Sequence, residues 1–440
     1  MIRDGEPVIL DSEIGRILVI NSRIAHGTVT IYSARRELLP ETAARGHVRS
    51  DSFREIEAIT AANVPSMRNS AALLNKLLHR DGEADSINHR TLSWQVEQEG
   101  SDILNWIEAE ASAIMESNGF DPESGAPLDA EEVDGAITHP ACAAIANDQV
   151  IATACQYNSV REPDRHIDVS EINEEYFPNE CYVNVSVDDV GVVAQKESGR
   201  AKGSAPKEHR KYVNNTVVHI QQGAGQYILN GLGLQNTLKC LLAFLLSNQL
   251  LANRKLVFFV DGDMHLRDKL QNMFSWLPFE IVLDWFHLAK KCKERLSMAM
   301  KGKEMRNAAL KQLLVLLWLG KTDMAINYLK CLDPASIKNS AHIVKLIEYL
   351  KRNMAIIPNY ALRKEIGLRN SSNRGEKAND LVVAGRQKHQ GMSWSRKGSS
   401  GMAAICSLIR NSEFENWNRK HRLSFALKYP EVSDDMQLVA

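Results

Sequence analysis

Three acids in this 440-residue chain stand where α/β proteins gather functional groups. Asp188 closes the apolar run CYVNVSVD, Asp261 closes a second run, KLVFFVD, and Glu376 opens a helical pattern after a polar loop. Carboxylates are hard oxygen ligands, the type that Mg²⁺ and Mn²⁺ prefer. A few of them can hold two such ions about 3.5–4 Å apart, one activating an attacking oxygen and the other stabilising a leaving oxygen, as phosphodiester cleavage requires. Each acid also has a plain structural use. Asp188 followed by Asp189 suits a tight turn. Asp261-Gly262 is a common turn dipeptide, and Asp263 suits a helix cap. Glu376 is favoured by the dipole of the helix it opens. Residue types alone leave both readings open for each acid.

The elements that must carry these acids follow from hydrophobic periodicity. Residues 182–187 and 190–195 read as two strands joined by a turn at the aspartate pair, and 213–220 as a third. A long apolar helix spans 234–251. The strand ending at Asp261 is apolar throughout, as expected of one buried on both faces. A short helix over 268–276 precedes FEIVLDWFH, a buried strand that opens into a helix at Trp285. Residues 290–300, 304–319, 323–329 and 337–353 each show the 3.6-residue apolar period of a helix. A further helix is expected from about 375 to 389, then a Gly/Ser-rich basic stretch and a final helix. Three antiparallel strands, a helix, then strands alternating with helices predict an α/β fold, an RNase H-like mixed sheet flanked by helices. An all-helical insertion interrupts it before Glu376.

The N-terminal part reads as mostly helical. Residues 1–40 alternate as in a small hairpin or meander, and 51–62 read as a helix. Over 64–100 two short helices, one capped by Ser70 and one by Ser86 or Asn88, surround the breaker Asp81-Gly82. The second is expected to end near 98. The pair fits a helix-turn-helix presenting Asn88, His89, Arg90, Ser93 and Gln95 to a DNA groove, and equally an ordinary helical hairpin. Another amphipathic helix covers 102–118, an acidic Pro/Gly linker 120–135, and a polar flexible loop 196–209. The expected divisions are 1–60, 61–120 for DNA binding, 121–180 as connector, 181–284 and 368–440 for the catalytic core, and 285–367 for the helical insertion.

Composition narrows the class. With 44% hydrophobic and 24% charged residues the chain can bury a large core. No run approaches the ~18 apolar residues of a membrane span, and MIRDGEPVIL lacks the pattern of a secretory leader. The seven scattered cysteines include no CxxC pair. Free thiols in a reducing cytoplasm are therefore expected, with no disulfide framework or structural zinc. The formal net charge of −1 hides an asymmetry: residues 281–400 hold 23 Lys and Arg against 9 acids, a net of +14, leaving −15 on residues 1–280. Such a split fits a region that meets a polyanion, and also a solvated basic helical surface.

The segments VSVDDVGVVAQKE, FFVDGD with LDWFHLAKK, and NSSNRGEKANDLVVAGRQKHQGMSWSRKGSSGMAAI resemble the DDE transposases of bacterial insertion sequences. The likeness is to the branch with an all-helical insertion before the catalytic glutamate, and it covers roughly 181–405. The most specific part is a glutamate followed by a basic run leading into Gly-Met-x-Trp. The resemblance implies an RNase H-like fold, two Mg²⁺ or Mn²⁺ ions, and cutting and joining of DNA at transposon ends by a protein that forms a homo-oligomer on DNA. It implies Asp188, Asp261 and Glu376 as catalytic metal ligands, with Asp189 and Asp263 as further candidate ligands. Asp284 and His287 match its Asp-x-Phe-His element, either capping a helix and orienting a carboxylate or lying near the scissile phosphate. Lys377, Arg386, Lys388, Arg396 and Lys397 fit phosphate neutralisation, and Trp394 fits stacking on an unpaired base or packing in the core.

Overall fold

The computed structural model describes residues 50–80, 86–129, 142–195, 211–231, 233–252, 254–388 and 391–430, with six short strands between residues 2 and 49. The expected loop over 196–209 and part of the expected linker over 120–135 lie outside the described residues. The chain divides into two compact units. Residues 1–107, 191–215 and 380–424 form the first, and 108–190, 216–379 and 425–440 the second.

In the first unit the six short strands pair as two three-stranded sheets, β1-β4-β5 and β3-β2-β6, from β1 (Ile2–Asp4), β2 (Val8–Ser12), β3 (Gly15–Val19), β4 (Ser22–His26), β5 (Val29–Ser33) and β6 (His47–Arg49). Helices Asp51–Asn63 and Met67–Leu77 follow. The cap of the second is Ser66, whose hydroxyl accepts from the Asn69 N–H at 3.1 Å. Ser70, the expected cap, is buried inside the helix and donates to the Ser66 carbonyl at 2.9 Å. The next helix starts where expected, with Asn88 Oδ1 accepting from the Arg90 N–H at 2.8 Å. It does not end near 98 but runs unbroken over His89–Ser117, 29 residues. Gly100, inside this helix, serves close packing: a Cβ there would stand 2.2 Å from the Cα of Gly401 in helix Arg396–Arg410. The apolar stripe Leu92, Val96 and Ile103 is buried along the helix.

The second unit is built on a five-stranded mixed sheet in the order β11-β10-β7-β8-β9, comprising β7 (Tyr182–Val193), β8 (Tyr212–Gln222), β9 (Gly225–Gly231), β10 (Lys255–Val260) and β11 (Phe279–Leu283). The expected turn at the aspartate pair is absent, for β7 continues through it. β7 is an inner strand with neighbours on both sides, and Thr216 on β8 donates to Asp189 Oδ1 at 2.6 Å, so the carboxylate is satisfied without a turn. β9 was not expected: its Tyr-Ile-Leu core is short and lies between glycines. It forms an antiparallel hairpin with β8. Helix Leu234–Ser247 packs its apolar surface on the sheet, with Phe244 stacked on Tyr227 of β9 at 4.6 Å. β10 is buried except at Lys255, as its continuous apolar run predicts, and pairs in parallel with β7 and β11.

After Asp284 five helices follow: Trp285–Ala299, Lys303–Trp318, Thr322–Lys330, Ser340–Asn353 and Tyr360–Glu365. The first four are those the periodicity predicts. The stretch is tied to β11 by aromatic and polar contacts. Tyr360 donates to the Leu283 carbonyl at 2.6 Å, and the Trp285 ring lies 4.7 Å from Trp318 and 5.0 Å from Tyr360. Buried Arg363 pairs with Glu280. The helix expected over 375–389 is segmented into Asn373–Asn379, a π-helical turn Asp380–Ala384 and Gly385–Gln387.

The cysteines correct a second expectation. Cys142 and Cys181 form a disulfide across 39 residues, while Cys155, Cys240, Cys292, Cys331 and Cys406 are free. Among the described residues no helix is long and apolar enough to cross a membrane.

Candidate metal centre

Parallel register brings the acids of the second unit into one row. Phe259 on β10 stands opposite Ser186 on β7, and Val260 stands opposite Leu283 on β11. Carried on past the strand ends, these registers set Asp261 level with Asp188 on one side and Asp284 on the other. The ladder does continue: the Asp284 N–H donates to the Val260 carbonyl at 2.8 Å. The backbone after β10 is fixed by Tyr349, whose hydroxyl donates to the Asp261 carbonyl at 3.1 Å. Gly262 follows at φ +90°, a left-handed conformation that glycine adopts without strain.

The three members of the row differ in what they face. Asp188 and Asp261 line one pocket, together with Glu376, His287, His219, Ser186 and Asn379. Asp284 is 1% exposed and fully engaged: one oxygen accepts from the His287 N–H at 3.1 Å, capping helix Trp285–Ala299, and the other accepts from the Ser372 N–H. Glu376 reaches the pocket from the first turn of Asn373–Asn379, where its Oε1 meets His287 Nε2 at 2.6 Å. Gly375 beside it lies against β7 so closely that a Cβ would stand 2.6 Å from the Ser186 side chain.

The structure separates each acid from its neighbour. Asp188 faces the pocket, accepting from Asn379 Nδ2 at 2.7 Å, while Asp189 is exposed on the other face of the strand and bonded to Thr216. Asp261 faces the pocket, while Asp263 caps helix Met264–Phe274 by accepting from the His265 N–H at 2.9 Å. Burial, then the negative charges of Asp261 and Glu376, push the Asp188 carboxyl up to about 6, against the opposing influence of His287 and of the Asp189 N–H. Burial also pulls the His219 imidazole down to about 4.

The donor set suits a hard divalent cation in kind, being carboxylates that line one pocket and repel one another. Asp188, Asp261 and Glu376 would hold the ion. Among the described residues no three or more His, Cys, Asp or Glu side chains lie together closely enough to hold a metal ion as they stand, and the side chain of Glu376 is turned onto His287.

The residues assigned to DNA contact fall into two groups. Arg90, Lys377, Lys388, Arg396 and Lys397 are exposed. Arg386 is 5% exposed and donates to the carbonyls of Ala61 at 2.6 Å and Pro65 at 3.1 Å, so it holds the first unit together. Trp394 is buried, its indole N–H donating to the Gln387 carbonyl at 3.1 Å, and its backbone bridges to Ala194. That is the packed alternative left open for it. Sequence reasoning missed Asn379, although its position three residues after Glu376 puts both on one helical face. It also missed His219, which carries no local signal in an apolar strand.

The chain matches no protein-family model, no curated protein and no solved structure.

Proposed function

We propose that the chain is a DDE-type DNA transposase that cuts DNA at the ends of an insertion sequence and joins the freed 3′-OH to target DNA. The observation that carries this reading is the register of two adjacent parallel strands that sets Asp188, within β7, level with Asp261, just past the end of β10, with Glu376 lining the same pocket. Strand order supports an RNase H-like core: three consecutive strands lie to one side, and two parallel strands add at the edge of the first. The five helices before Glu376 stand where the resemblance expects an insertion.

Two Mg²⁺ or Mn²⁺ ions, when bound, would supply the activation of the attacking hydroxyl and the stabilisation of the leaving oxygen. The chain's own residues prepare the place. Asp188 and Asp261 present oxygens from adjacent inner strands of the sheet. His287 fixes the direction of Glu376, and Asp284 fixes the backbone of both His287 and Ser372. Exposed Lys377 adds positive charge one residue after Glu376. Bringing two element ends together calls for a homo-oligomer on DNA.

The test uses DNA bearing the ends of the element that encodes the chain, with Mg²⁺. Ligand loss removes several kcal/mol of transition-state stabilisation, so Asp261→Asn, Asp188→Asn and Glu376→Gln are each expected to lower strand transfer by on the order of 10³-fold or more. Cutting and joining by Asp261→Asn at the wild-type rate overturns the reading. Cutting without joining by the wild type points instead to a nuclease, and DNA binding without cutting to a descendant that has lost catalysis.

A further inference from the structure

Two arginines, Arg369 and Arg374, lie on the segment that leads into the acid pocket and pair with no acid among the described residues. Residues 369–376 lead into the pocket, and Ser372, Gly375 and Glu376 line it. This segment is held at its backbone. Arg363 donates to the Arg369 carbonyl from Nε and Nη2, each at 3.3 Å. Asn370 donates to the Tyr360 carbonyl at 2.6 Å, and its own carbonyl accepts from the Trp285 N–H at 3.1 Å. Ser372 is fixed by Asp284, and Gly375 by its close approach to Ser186. The Cα positions of Arg369 and Arg374 are thereby set. Their side chains make no hydrogen bond or ion pair with any described residue.

Such an arrangement is costly unless something anionic completes it. Arg369 is half-buried, Arg374 acts on it as a like charge, and both act on His219 within the pocket lining. Burial and the Arg374 charge pull the Arg369 guanidinium down to about 10. The same unit pairs buried Arg363 with Glu280, so its fold does neutralise arginines where neutrality is wanted. Around this pocket charge is instead segregated, with carboxylates together and guanidinium groups together. A phosphodiester with divalent cations is complementary to both halves at once, because guanidinium forks match phosphate oxygens in pairs of parallel hydrogen bonds.

We propose that Arg369 and Arg374 form a clamp for a backbone phosphate of the DNA strand being cut, holding its non-bridging oxygens beside the acids. The clamp rests on the DNA reading above and assigns two residues outside the acid triad and the basic run after it. Its signature is a change in the salt dependence of binding, since each phosphate contact adds about 0.9 to the slope of log affinity against log salt on duplex DNA.

Binding of end-containing duplex to full-length protein would be titrated from about 50 to 200 mM salt in Ca²⁺, for wild type, Arg369→Gln, Arg374→Gln and the double variant. Lys255→Gln serves as a charge control, because Lys255 begins β10, at the opposite end of the strand from Asp261. Thermal unfolding checks that each variant is folded, and wild-type cleavage is read in Mg²⁺ alongside. The expected result is a roughly tenfold or greater loss of affinity at the lower salt and a slope about one unit smaller in the double variant, with Lys255→Gln unchanged. Folded variants with wild-type affinity and slope overturn the clamp. Cleavage by the wild type together with an unaltered slope overturns the clamp alone. No cleavage together with a reduced slope overturns catalysis and leaves the clamp standing. A wild type that binds no DNA overturns both.

Discussion

Residue by residue, the row Asp188, Asp261 and Asp284 shows how position divides labour among chemically identical groups. Two face the pocket, and the third spends both oxygens on backbone N–H groups. Sequence patterns mark Asp188 and Asp261 as strand-end acids and Asp284 as a helix cap or a residue near the scissile phosphate, but not which face of β7 carries Asp188. That depended on whether the strand turned or continued, and continuing it fixes Asp188 inward and Asp189 outward. His287 is given two alternatives by the resemblance, orienting a carboxylate or lying near the scissile phosphate. Its backbone is capped by Asp284, while its ring holds Glu376 at 2.6 Å. Removing a group that orients a ligand typically costs about 10–100-fold in activity or metal affinity. His287→Ala is expected to lower turnover in that range, with DNA affinity nearly unchanged, and His287→Gln to recover part of it. Equal turnover for His287→Ala and wild type in single-turnover cleavage would refute the orienting role. His219 makes a separate prediction about pH. Its folded pKa of about 4 lies below the ordinary value of 6.5, so the unfolded chain takes up the proton first as pH falls. The stability associated with neutral His219 is complete above about pH 6.5 and declines as pH falls toward 4, by at most about 3 kcal/mol at 1.36 kcal/mol per pH unit. His219→Gln is expected to flatten that part of the profile of unfolding midpoint against pH. A profile as steep as that of wild type over pH 4–6.5 counts against a buried neutral imidazole.

For whole elements, regular periodicity was legible and interruptions were not. The four amphipathic helices after Trp285 and the buried strand β10 follow directly from their apolar spacing. Apolar spacing reads as one helix ending near 98 and another over 102–118, where the structure has the single helix His89–Ser117; the glycine between them disfavours a helix interior by about 1 kcal/mol relative to alanine. The gain from approaching Gly401 is a tertiary effect that no local pattern carries. The same balance makes Gly100→Ala informative. Propensity alone predicts stabilisation by about 1 kcal/mol. The added methyl meets backbone atoms of Gly401 that have no rotamer to change, so overpacking of about 1–3 kcal/mol should prevail. A lower denaturation midpoint is expected, and a raised one would count against the close helix contact. Gly375→Ala tests the corresponding approach in the second unit. Pushing segment 372–376 away from Ser186 would displace Glu376, so DNA cleavage is expected to fall by more than tenfold even where the fold survives.

At the level of the whole molecule, the charge asymmetry was legible by counting, whereas the disulfide was not. Cys142 and Cys181 belong to no motif and are separated by 39 residues, and only folding brings them together. Closing a loop of that length restricts the unfolded chain by about 4 kcal/mol in the chain-entropy model. Cys142→Ser is therefore expected to lower the unfolding midpoint under oxidising conditions and to do little under reductant. Thiol titration of the denatured, unreduced protein should find five reactive groups, matching the free cysteines. Seven would show that the pair is reduced. Asp284 carries one more consequence. The five-helix stretch leaves the sheet at this residue and returns at Ser372, 88 residues later, and the same carboxylate receives both ends. Seen from the pocket, the stretch is a cassette whose two ends share one clasp, with Tyr349, Tyr360 and Arg363 pinning it to the sheet in between. Changes of helix length that spare this clasp, those three side chains and the Trp285 and Trp318 rings are expected to leave the position of Glu376 unchanged, and changes that break the clasp are expected to move it.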